Sequence, residues 1–377
     1  MMTNVEQRAS TMKLKRLEIR NFKGIKELEI DFVPPHADAP RHLTAVMGDN
    51  CMGKTTVLQA MALVLSVATR KTRELSDFEW YGFLPERISS LGRTYVEITV
   101  RFENSEIAAV CELFEAWRDS RSEEWVQTHN IVEPDQRTEV RVRLENGGIR
   151  SPDGAGAYMQ FLGRHYIKVL KDSHPGLRGR FKDVGDIFWF DQFRNLGTVN
   201  GTSGEERATE REGHSWASGV EQLREYLVGW WGYHTSPDKH GGRDYISELE
   251  PLFGQIFSGT RFVGTRPKPG ADTGRISDFY FLLERDKRVF DIAEMSSGEQ
   301  GVFPLLYEFV RLDIAKSIVL IDELELHLHP PQQQVLLAAL PKLGLDCQFV
   351  ITTHSPYLEA VIPDEDEFRL QGGRSCL

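Results

Sequence analysis

The sequence predicts an α/β fold with a parallel-sheet core, an N-terminal antiparallel β-subdomain and a short helical insertion. Ser317 to Ile321 and Gln348 to Ile351 are nearly unbroken apolar runs, as in parallel strands covered on both faces. A third strand, 43–47, leads through a glycine-rich turn into residues 56–65, whose apolar side chains have helical spacing. We therefore expect the N-terminal part and the C-terminal quarter to share one sheet, with the middle of the chain inserted between them.

Shorter strands with alternating apolar and polar residues predict the antiparallel part. Leu14 to Phe22 and Leu28 to Phe32 are joined by a turn, and apolar residues alternate with polar ones over 96–102 and 140–144. This alternation is typical of sheets with one buried face. The segment from Ile107 to Trp117, between the last two strands, has helical spacing and belongs to the predicted insertion.

The remaining segments give a coarse map of the chain. A loop is expected at 200–213 and another at 235–243. Helices are expected around Val220, Leu223, Leu227 and Trp230, and at 299–315 and 331–343; strands are expected at 261–264, 276–284, 289–292 and 367–370. The predicted divisions are a flexible N-terminus, the first part of the core, the β-subdomain remainder with the insertion, and the second part of the core: 1–11, 12–103, 104–292 and 293–377.

Composition and charge narrow the class of protein. The formal net charge of −11 argues against a protein that is basic all over, although it leaves room for a local basic surface. No apolar run approaches the length of a bilayer span, and the first residues lack the apolar stretch of a secretion signal. The four cysteines are scattered, with neither disulfide-framework nor zinc spacing. These features predict a cytoplasmic protein without a membrane partner.

The glycine-rich turn carries the most specific motif, Gly48-Asp-Asn-Cys-Met-Gly-Lys-Thr55, which has P-loop spacing and the strand-to-helix context that a P-loop requires. Backbone N–H groups and the helix dipole at such a turn bind anions. Lys54 is placed to reach the outer phosphates, and the Thr55 hydroxyl to ligate magnesium. The predicted nucleotide-binding residues of this segment are Gly48, Asn50, Cys51, Met52, Gly53, Lys54, Thr55 and Thr56.

A pair of acids follows the apolar strand at 318–321. Asp322 at this strand end is suited to hold magnesium opposite Thr55. Glu323, one residue further, is suited to polarise a water for attack on the terminal phosphate. Acidic strand ends are common, so this pair is informative mainly through its neighbours, Met295-Ser-Ser-Gly-Glu-Gln300 before it and Ile351-Thr-Thr-His-Ser355 after it.

Together these residues resemble the ABC-type ATPase heads of the RecF, SMC, Rad50 and OLD group. The opening Leu14-Lys-Arg-Leu-Glu-Ile-Arg-Asn-Phe-Lys-Gly-Ile25 is similar to the first strands of that group, Gly48 to Thr56 to its Walker A motif, and Ile318 to Glu323 to its Walker B motif. Met295 to Gln300 resembles its signature motif. Glu325-Leu-His-Leu-His-Pro330 and Thr353-His-Ser-Pro356 resemble the OLD-like and RecF-like branch.

The resemblance implies a site shared between two subunits, with ATP and Mg²⁺ as ligands. The P-loop of one subunit would hold the phosphates, while Ser296, Gly298 and Glu299 of the other subunit's signature would face the terminal phosphate. Glu323 would be the general base and His354 the sensor of the terminal phosphate. The implied assembly is a homodimer or a higher homo-oligomer that ATP holds together and hydrolysis releases.

Two further residues follow from the resemblance. Gln192, after the apolar segment 186–190, is the candidate for the magnesium-linked glutamine, with an ordinary surface glutamine as the alternative. Cys51 stands where the group usually has glycine, so a positive φ at this position would be strained and would weaken phosphate binding.

Three single features have competing interpretations. Glu323, Glu325, His327 and His329 alternate and could suggest a transition-metal site, but a base followed by an interface loop is favoured. The lysines and arginines of residues 13–26 suggest either a solvated strand face, which is favoured, or a nucleic-acid contact. The aromatic set Trp189, Trp230, Trp231 and Tyr233 is expected to pack in the core rather than to stack on bases.

Within the group, the predicted function is that of an ATPase subunit that gates a separate effector, a nuclease or a toxin, in anti-phage defence. The interval between Walker A and the signature leaves no room for long coiled-coil arms, and no TOPRIM-like acidic cluster or other nuclease motif is expected. This prediction rests on analogy. The alternatives are a RecF-like DNA-repair ATPase, which would make DNA a partner, and an ATP-bound scaffold that does not hydrolyse.

Overall fold

The computed structural model describes residues 12–89, 92–192, 216–239, 241–271 and 275–370. Its strands are β1 (Lys13–Phe22), β2 (Ile25–Asp31), β3 (Leu43–Met47), β4 (Tyr95–Arg101), β5 (Glu139–Glu145), β6 (Gly148–Arg150), β7 (Ile187–Phe190), β8 (Arg261–Pro267), β9 (Phe279–Arg285), β10 (Arg288–Asp291), β11 (Ile318–Ile321), β12 (Gln348–Thr353) and β13 (Glu367–Arg369). Its α-helices are α1 (Lys54–Ala68), α2 (Asn104–Asp119), α3 (Glu123–Thr128), α4 (Ala155–Met159), α5 (Gly163–Leu170), α6 (Arg178–Phe181), α7 (Trp216–Thr235), α8 (Tyr245–Ile256), α9 (Ser297–Arg311), α10 (Pro330–Leu343) and α11 (Pro356–Glu359).

A five-stranded parallel sheet forms the core, with strand order β13-β3-β12-β11-β7. Each of its four longer strands is almost wholly buried, because helices cover both faces. Side chains alternate between the faces: Val46 packs into one apolar cluster, and Ala45 and Met47 pack into the other. The prediction that the P-loop segment and the C-terminal quarter share one sheet is confirmed.

An antiparallel sheet with strand order β2-β1-β4-β5-β6 lies on the other side of α1. The alternation of β4 sends Val96, Ile98 and Val100 inward, each fully buried. Helix α1 is apolar on all sides because it is sandwiched, with its side chains in the same cluster as residues of both sheets. The predicted N-terminal β-subdomain is therefore confirmed, and it holds the P-loop helix against the core.

A third sheet, with order β10-β9-β8, leads into the signature helix α9. Strands β9 and β10 form a hairpin whose turn residues Asp286 and Lys287 both have positive φ, 50° and 65°, as a tight two-residue turn demands. The strand predicted from 276 begins only at Phe279, because Ile276 to Asp278 form a single 3₁₀ turn. The hairpin thus places Arg285, its last β9 residue, beside the start of α9.

The insertion between the sheets is helical and has a core of its own. Helix α2 contains the predicted helix 107–117, and it packs on α5 around Leu113, Phe114 and Tyr166. The short helices α3 to α6 and helix α8 were not predicted. Helices α3 to α6 span only four to eight residues, too few for periodicity to give a clear signal. The predicted flexible segments 1–11 and 200–213 lie outside the described residues.

A buried lysine joins the end of the P-loop helix to the edge strand of the core. Lys71 donates to the Ile187 carbonyl oxygen at 2.5 Å and pairs with Asp186 at 3.2 Å, and its ammonium lies 3.9 Å from the centre of the Phe188 ring. Burial lowers the pKa of Lys71. None of the helices in the described ranges is long and apolar enough to cross a membrane.

Candidate functional site

The loop between β3 and α1 has the backbone of an anion-binding turn. Gly53, the N-cap of α1, has φ of 91°, and Cys51 has φ of 68°. Cys51 thus adopts the left-handed conformation that favours glycine, which is the strained case considered from the sequence. Lys54 is buried, and its Nζ donates to the carbonyl oxygens of Gly48 at 2.7 Å and Asp49 at 3.0 Å. The ammonium therefore lies against the loop that would surround a phosphate.

The predicted magnesium ligands meet at the carboxyl edge of the parallel sheet. The Thr55 hydroxyl donates to the Asp322 carboxylate, with distances of 2.9 and 3.1 Å to its two oxygens. Asp322 is 1% exposed, and its Oδ1 also accepts from the Thr352 hydroxyl at 2.6 Å. Parallel pairing of β11 with β12 brings Thr352 to this point. The structure thus joins the ends of β11 and β12 and the start of α1 through one buried carboxylate.

Glu323 follows directly and is held by the same threonine. Its backbone N–H donates to the Thr352 hydroxyl oxygen at 2.7 Å, and its φ of 44° lies in the left-handed region. The next residue, Leu324, donates its N–H to the Thr352 carbonyl oxygen. The half-buried Glu323 side chain therefore sits on a backbone that is fixed relative to Asp322. This arrangement suits a base, whose position has to be set precisely.

His354 follows β12 and contacts a buried acid. The Glu325 Oε1 accepts the His354 backbone N–H at 2.7 Å and lies 3.0 Å from its Nδ1. Glu325 is 6% exposed, whereas the His354 side chain is 44% exposed. The ring is thus anchored on one side and open on the other.

The signature segment forms the N-terminus of α9. Ser296 caps this helix, and its Oγ and its N–H both donate to Glu299 Oε2, at 2.7 and 2.9 Å. Arg285 pairs with the other Glu299 oxygen and also donates to Thr260 Oγ1 at 2.7 Å. Glu299 is 2% exposed, so the structure does not support its predicted contact with the nucleotide. Because both of its oxygens are occupied, it acts as a cap within its own chain.

Ser296 is exposed and Gly298 is buried, so the two positions have different structural requirements. A Cβ at position 298 would lie 3.0 Å from the His327 carbonyl oxygen, so glycine lets α9 approach the loop after β11. Within the described part of the chain, no hydrogen bond joins Ser296 or Gly298 to the P-loop. The structure therefore brings Thr55 and Asp322 into direct contact, and no hydrogen bond of the described residues links the signature to the P-loop.

Gln192 lies where the prediction requires it, although its role stays a prediction. It follows β7, which pairs in parallel with β11, and Asp322 N donates to the Phe190 carbonyl oxygen at 2.9 Å. Gln192 is thus on the same sheet edge as Asp322. The other P-loop residues named from the sequence, Asn50, Met52 and Thr56, lie in or directly after the loop and are exposed or half-buried.

The structure bears on the competing interpretations to different degrees. Among the described residues, no group of three or more His, Cys, Asp or Glu side chains could hold a metal ion. Trp189 is 7% exposed in the core, Trp230 stacks on Tyr245 and Tyr307, and Trp231 covers Gly264, where a Cβ would be 2.5 Å from its ring. The aromatic side chains are therefore packing residues.

Most basic residues of the first strands have partners within the chain. Lys13 is buried. Three others form ion pairs within the chain, Lys15 with Glu139, Arg16 with Glu29 and Arg20 with Glu18, and Lys23 donates a hydrogen bond to Gln59. This pairing favours a solvated strand face over a nucleic-acid contact at this position.

Three contributing residues were missed from the sequence: Thr352, Arg285 and, as a partner of His354, Glu325. Thr352 could have been found by aligning the ends of the two predicted parallel strands. Glu325 was considered only as a metal ligand. The Arg285 contact depends on a hairpin register that the sequence does not specify.

Two family models match the chain. The one described as "AAA ATPase domain" matches residues 12–136, and the one described as "AAA domain, putative AbiEii toxin, Type IV TA system" matches residues 207–360. The first match contains the P-loop, and the second contains the signature, the acid pair and His354.

Several known proteins are similar to this chain. The "Retron Ec83 probable ATPase" of Escherichia coli is 30% identical over 25% of this chain and 19% of its own length. The "OLD nuclease" of Thermus scotoductus is 25% identical over 91% of this chain and 59% of its own. The "Retron Vc95 probable ATPase" of Vibrio cholerae is 20% identical over 94% and 72%. The chain thus spans less than two thirds of the length of the first two.

A solved SMC head bound to the C-winged helix domain of ScpA superimposes with a TM-score of 0.46 at 16% identity, covering 92% of this chain and 91% of the head. The site geometry, the two family matches and the named relatives agree with each other. Two separate parts of the chain are therefore similar to AAA-type ATPase domains, and the relatives that match it include retron ATPases and an OLD nuclease.

Proposed function

We propose that this chain binds ATP with Mg²⁺, hydrolyses it, and uses ATP-dependent head dimerisation to gate a separate effector in anti-phage defence. One observation carries the enzymatic part. Thr55 and Asp322, 267 positions apart, are brought into direct contact at the end of the parallel sheet. A hydroxyl from a P-loop helix facing a buried carboxylate from a neighbouring strand end is the pair that a nucleotide-bound divalent cation requires.

The donor set suits Mg²⁺. Thr55 and Asp322 offer hard oxygen atoms, and the amide oxygen of Gln192 on the same edge is a third candidate. A cation held there would neutralise phosphate charge. The chain's own groups divide the remaining work: Lys54 binds phosphate oxygens, Glu323 accepts the proton of the attacking water, and His354 donates to the terminal phosphate.

A second copy of the chain completes the proposed site. Ser296 is exposed at the start of a 15-residue helix, and no hydrogen bond ties it to the P-loop within the described ranges. The N-terminus of such a helix attracts anions. The signature of one copy would therefore cover the phosphates held by the P-loop of the other, and hydrolysis would release the contact.

The defence role rests on the relatives. Two of them are retron ATPases, and one family description names a toxin and a type IV toxin–antitoxin system. These names support an effector, a nuclease or a toxin, as the gated partner. The alternatives are a RecF-like DNA-repair ATPase, for which salt-dependent binding of the isolated protein to DNA would be the sign, and a scaffold that dimerises with ATP but releases no phosphate.

The test starts from Glu323→Gln, which keeps the shape of the side chain but removes the base. With ATP and Mg²⁺ this variant should run as a dimer in light scattering coupled to size exclusion. Adding Ser296→Arg should return it to a monomer that still binds nucleotide, because only the signature is blocked. Adding Lys54→Ala instead should abolish dimerisation, because it weakens nucleotide binding by about a hundredfold. A dimer that persists with Ser296→Arg would refute the shared site.

A further inference from the structure

The side chain of Glu325 is unusual because it is a buried acid that touches His354, an exposed residue of the proposed site. Its Oε1 accepts the His354 N–H at 2.7 Å and lies 3.0 Å from His354 Nδ1. One oxygen therefore fixes both the backbone and the ring of the same residue. With the χ1 and χ2 rotations of His354 restrained in this way, the ring points in a defined direction although nearly half of it is exposed.

The chemistry of the contact selects one form of the imidazole. A carboxylate oxygen accepts hydrogen bonds, so a hydrogen bond across this 3.0 Å contact requires the proton to be on Nδ1. The other ring nitrogen, Nε2, is on the far side of the ring from Glu325. Nε2 is then the ring atom that can contact a ligand, as in sites where a carboxylate holds one ring nitrogen and the other nitrogen binds the ligand.

A purely structural role does not account for the acid. Its second oxygen, Oε2, is buried and makes no hydrogen bond within the described part of the chain. An unpaired buried carboxylate oxygen destabilises the fold, and a side chain kept only for packing would avoid it. The neighbouring Ser355 is already fixed through Gln333, whose Nε2 donates to the Leu328 carbonyl oxygen at 2.9 Å. The backbone around His354 thus has another anchor.

We propose that Glu325 is the positioning residue for His354, holding the proton on Nδ1 and turning Nε2 toward the terminal phosphate. This inference rests on the proposed ATPase function. It assigns Glu325 a task distinct from that of the base Glu323, two residues earlier, which is held by Thr352 rather than by the histidine.

The first experiment is a double-mutant cycle on ATP turnover. Glu325→Gln keeps the size and loses the charge, and it should lower turnover about tenfold while ATP affinity changes less than about twofold. His354→Ala should lower turnover at least as much. In the His354→Ala background, Glu325→Gln should have no further effect, because its only route of action is gone. Glu325→Asp, which keeps the charge but is too short to reach the ring, should behave like Glu325→Gln.

A matched control is Glu308→Gln. Glu308 is also a buried glutamate, but it pairs with Arg311 near the end of α9. Turnover should stay within about twofold of wild type in this control. Equal, additive losses from Glu325→Gln in the wild-type and His354→Ala backgrounds would overturn the inference.

A second measurement does not depend on turnover. In ¹⁵N-histidine-labelled protein, His354 should show a single form protonated at Nδ1, and Glu325→Gln should change it to a mixture of tautomers. An unchanged spectrum in a folded Glu325→Gln variant would contradict the assignment. If the wild type hydrolyses no ATP, the proposed function fails, while this spectrum still decides whether Glu325 sets the ring.

Discussion

The two halves of the proposed nucleotide site differ in how much of each is assembled inside one chain. On the P-loop side, hydrogen bonds join Thr55 and Thr352 to the buried Asp322 carboxylate. On the signature side, the Ser296 hydroxyl donates to Glu299 of its own helix, and Arg285 secures that cap from behind. Under the proposed function, the first half holds the nucleotide and the second half, an exposed helix end, covers it from another copy of the chain.

The largest expected effect separates binding from turnover on the P-loop side. Glu323→Gln should lower turnover about a thousandfold, because it removes the group that accepts the proton of the attacking water. ATP affinity should be retained. Phosphate release and nucleotide titration measure the two properties, with the exposed Glu294→Gln as the control. Near-normal phosphate release would reject Glu323 as the base.

The next effect tests whether the P-loop side alone holds the nucleotide. Lys54→Ala should weaken ATP binding about a hundredfold, since a buried ammonium facing the phosphates is removed. Isothermal titration against wild type checks this, and the exposed Lys26→Ala should bind normally. An unchanged affinity would remove the basis for the site.

A smaller effect is expected on the signature side. Arg285→Ala leaves the Glu299 carboxylate without its partner and loosens the start of α9, so turnover should fall about tenfold. Nucleotide affinity should not change, because the P-loop side is untouched. The arginine of the same hairpin that is 79% exposed, Arg288, provides the control variant Arg288→Ala. A loss of affinity in Arg285→Ala would show that the two halves are not independent.

The smallest effect on the site comes from a buried acid remote from it. Glu106 accepts the N–H groups of Met12 and Gly185 at 2.6 and 2.7 Å, and burial raises the pKa of Glu106 to about 7. Its folded pKa exceeds its unfolded one, so its contribution to stability is complete below about pH 4.5 and is lost as pH rises through 7.

Urea unfolding from pH 5 to 8 measures this contribution. The free energy of unfolding of wild type, relative to Glu106→Gln, should fall by up to about 3 kcal/mol across this range. Turnover per folded molecule should not differ between the two proteins. A difference in stability that does not vary with pH would show that Glu106 does not titrate there.

The comparison also explains what could be predicted from sequence. The P-loop side was within reach because its residues lie in short motifs at the ends of recognisable strands, and parallel strands place their carboxyl ends together. Thr352 lies in the motif Ile351-Thr-Thr-His-Ser355, but its contact with Asp322 depends on sheet register, which the motif does not specify. The inward turn of Glu299 was not predicted, because a contiguous motif does not reveal which side chain turns inward. Helix α8 was missed because Pro251 interrupts its pattern.

The contacts of the buried Lys71 ammonium connect two parts of the core at a place that dissolved ions reach poorly. Surface charge pairs weaken as ionic strength rises, but an ammonium enclosed by Asp186, a carbonyl oxygen and an aromatic ring is shielded from that screening. The contact that Lys71 makes between the end of the P-loop helix and β7, the strand that Gln192 follows, should therefore persist in concentrated salt. A loss of activity at high salt would therefore indicate weaker contacts between separate molecules, and not a weaker contact within the chain.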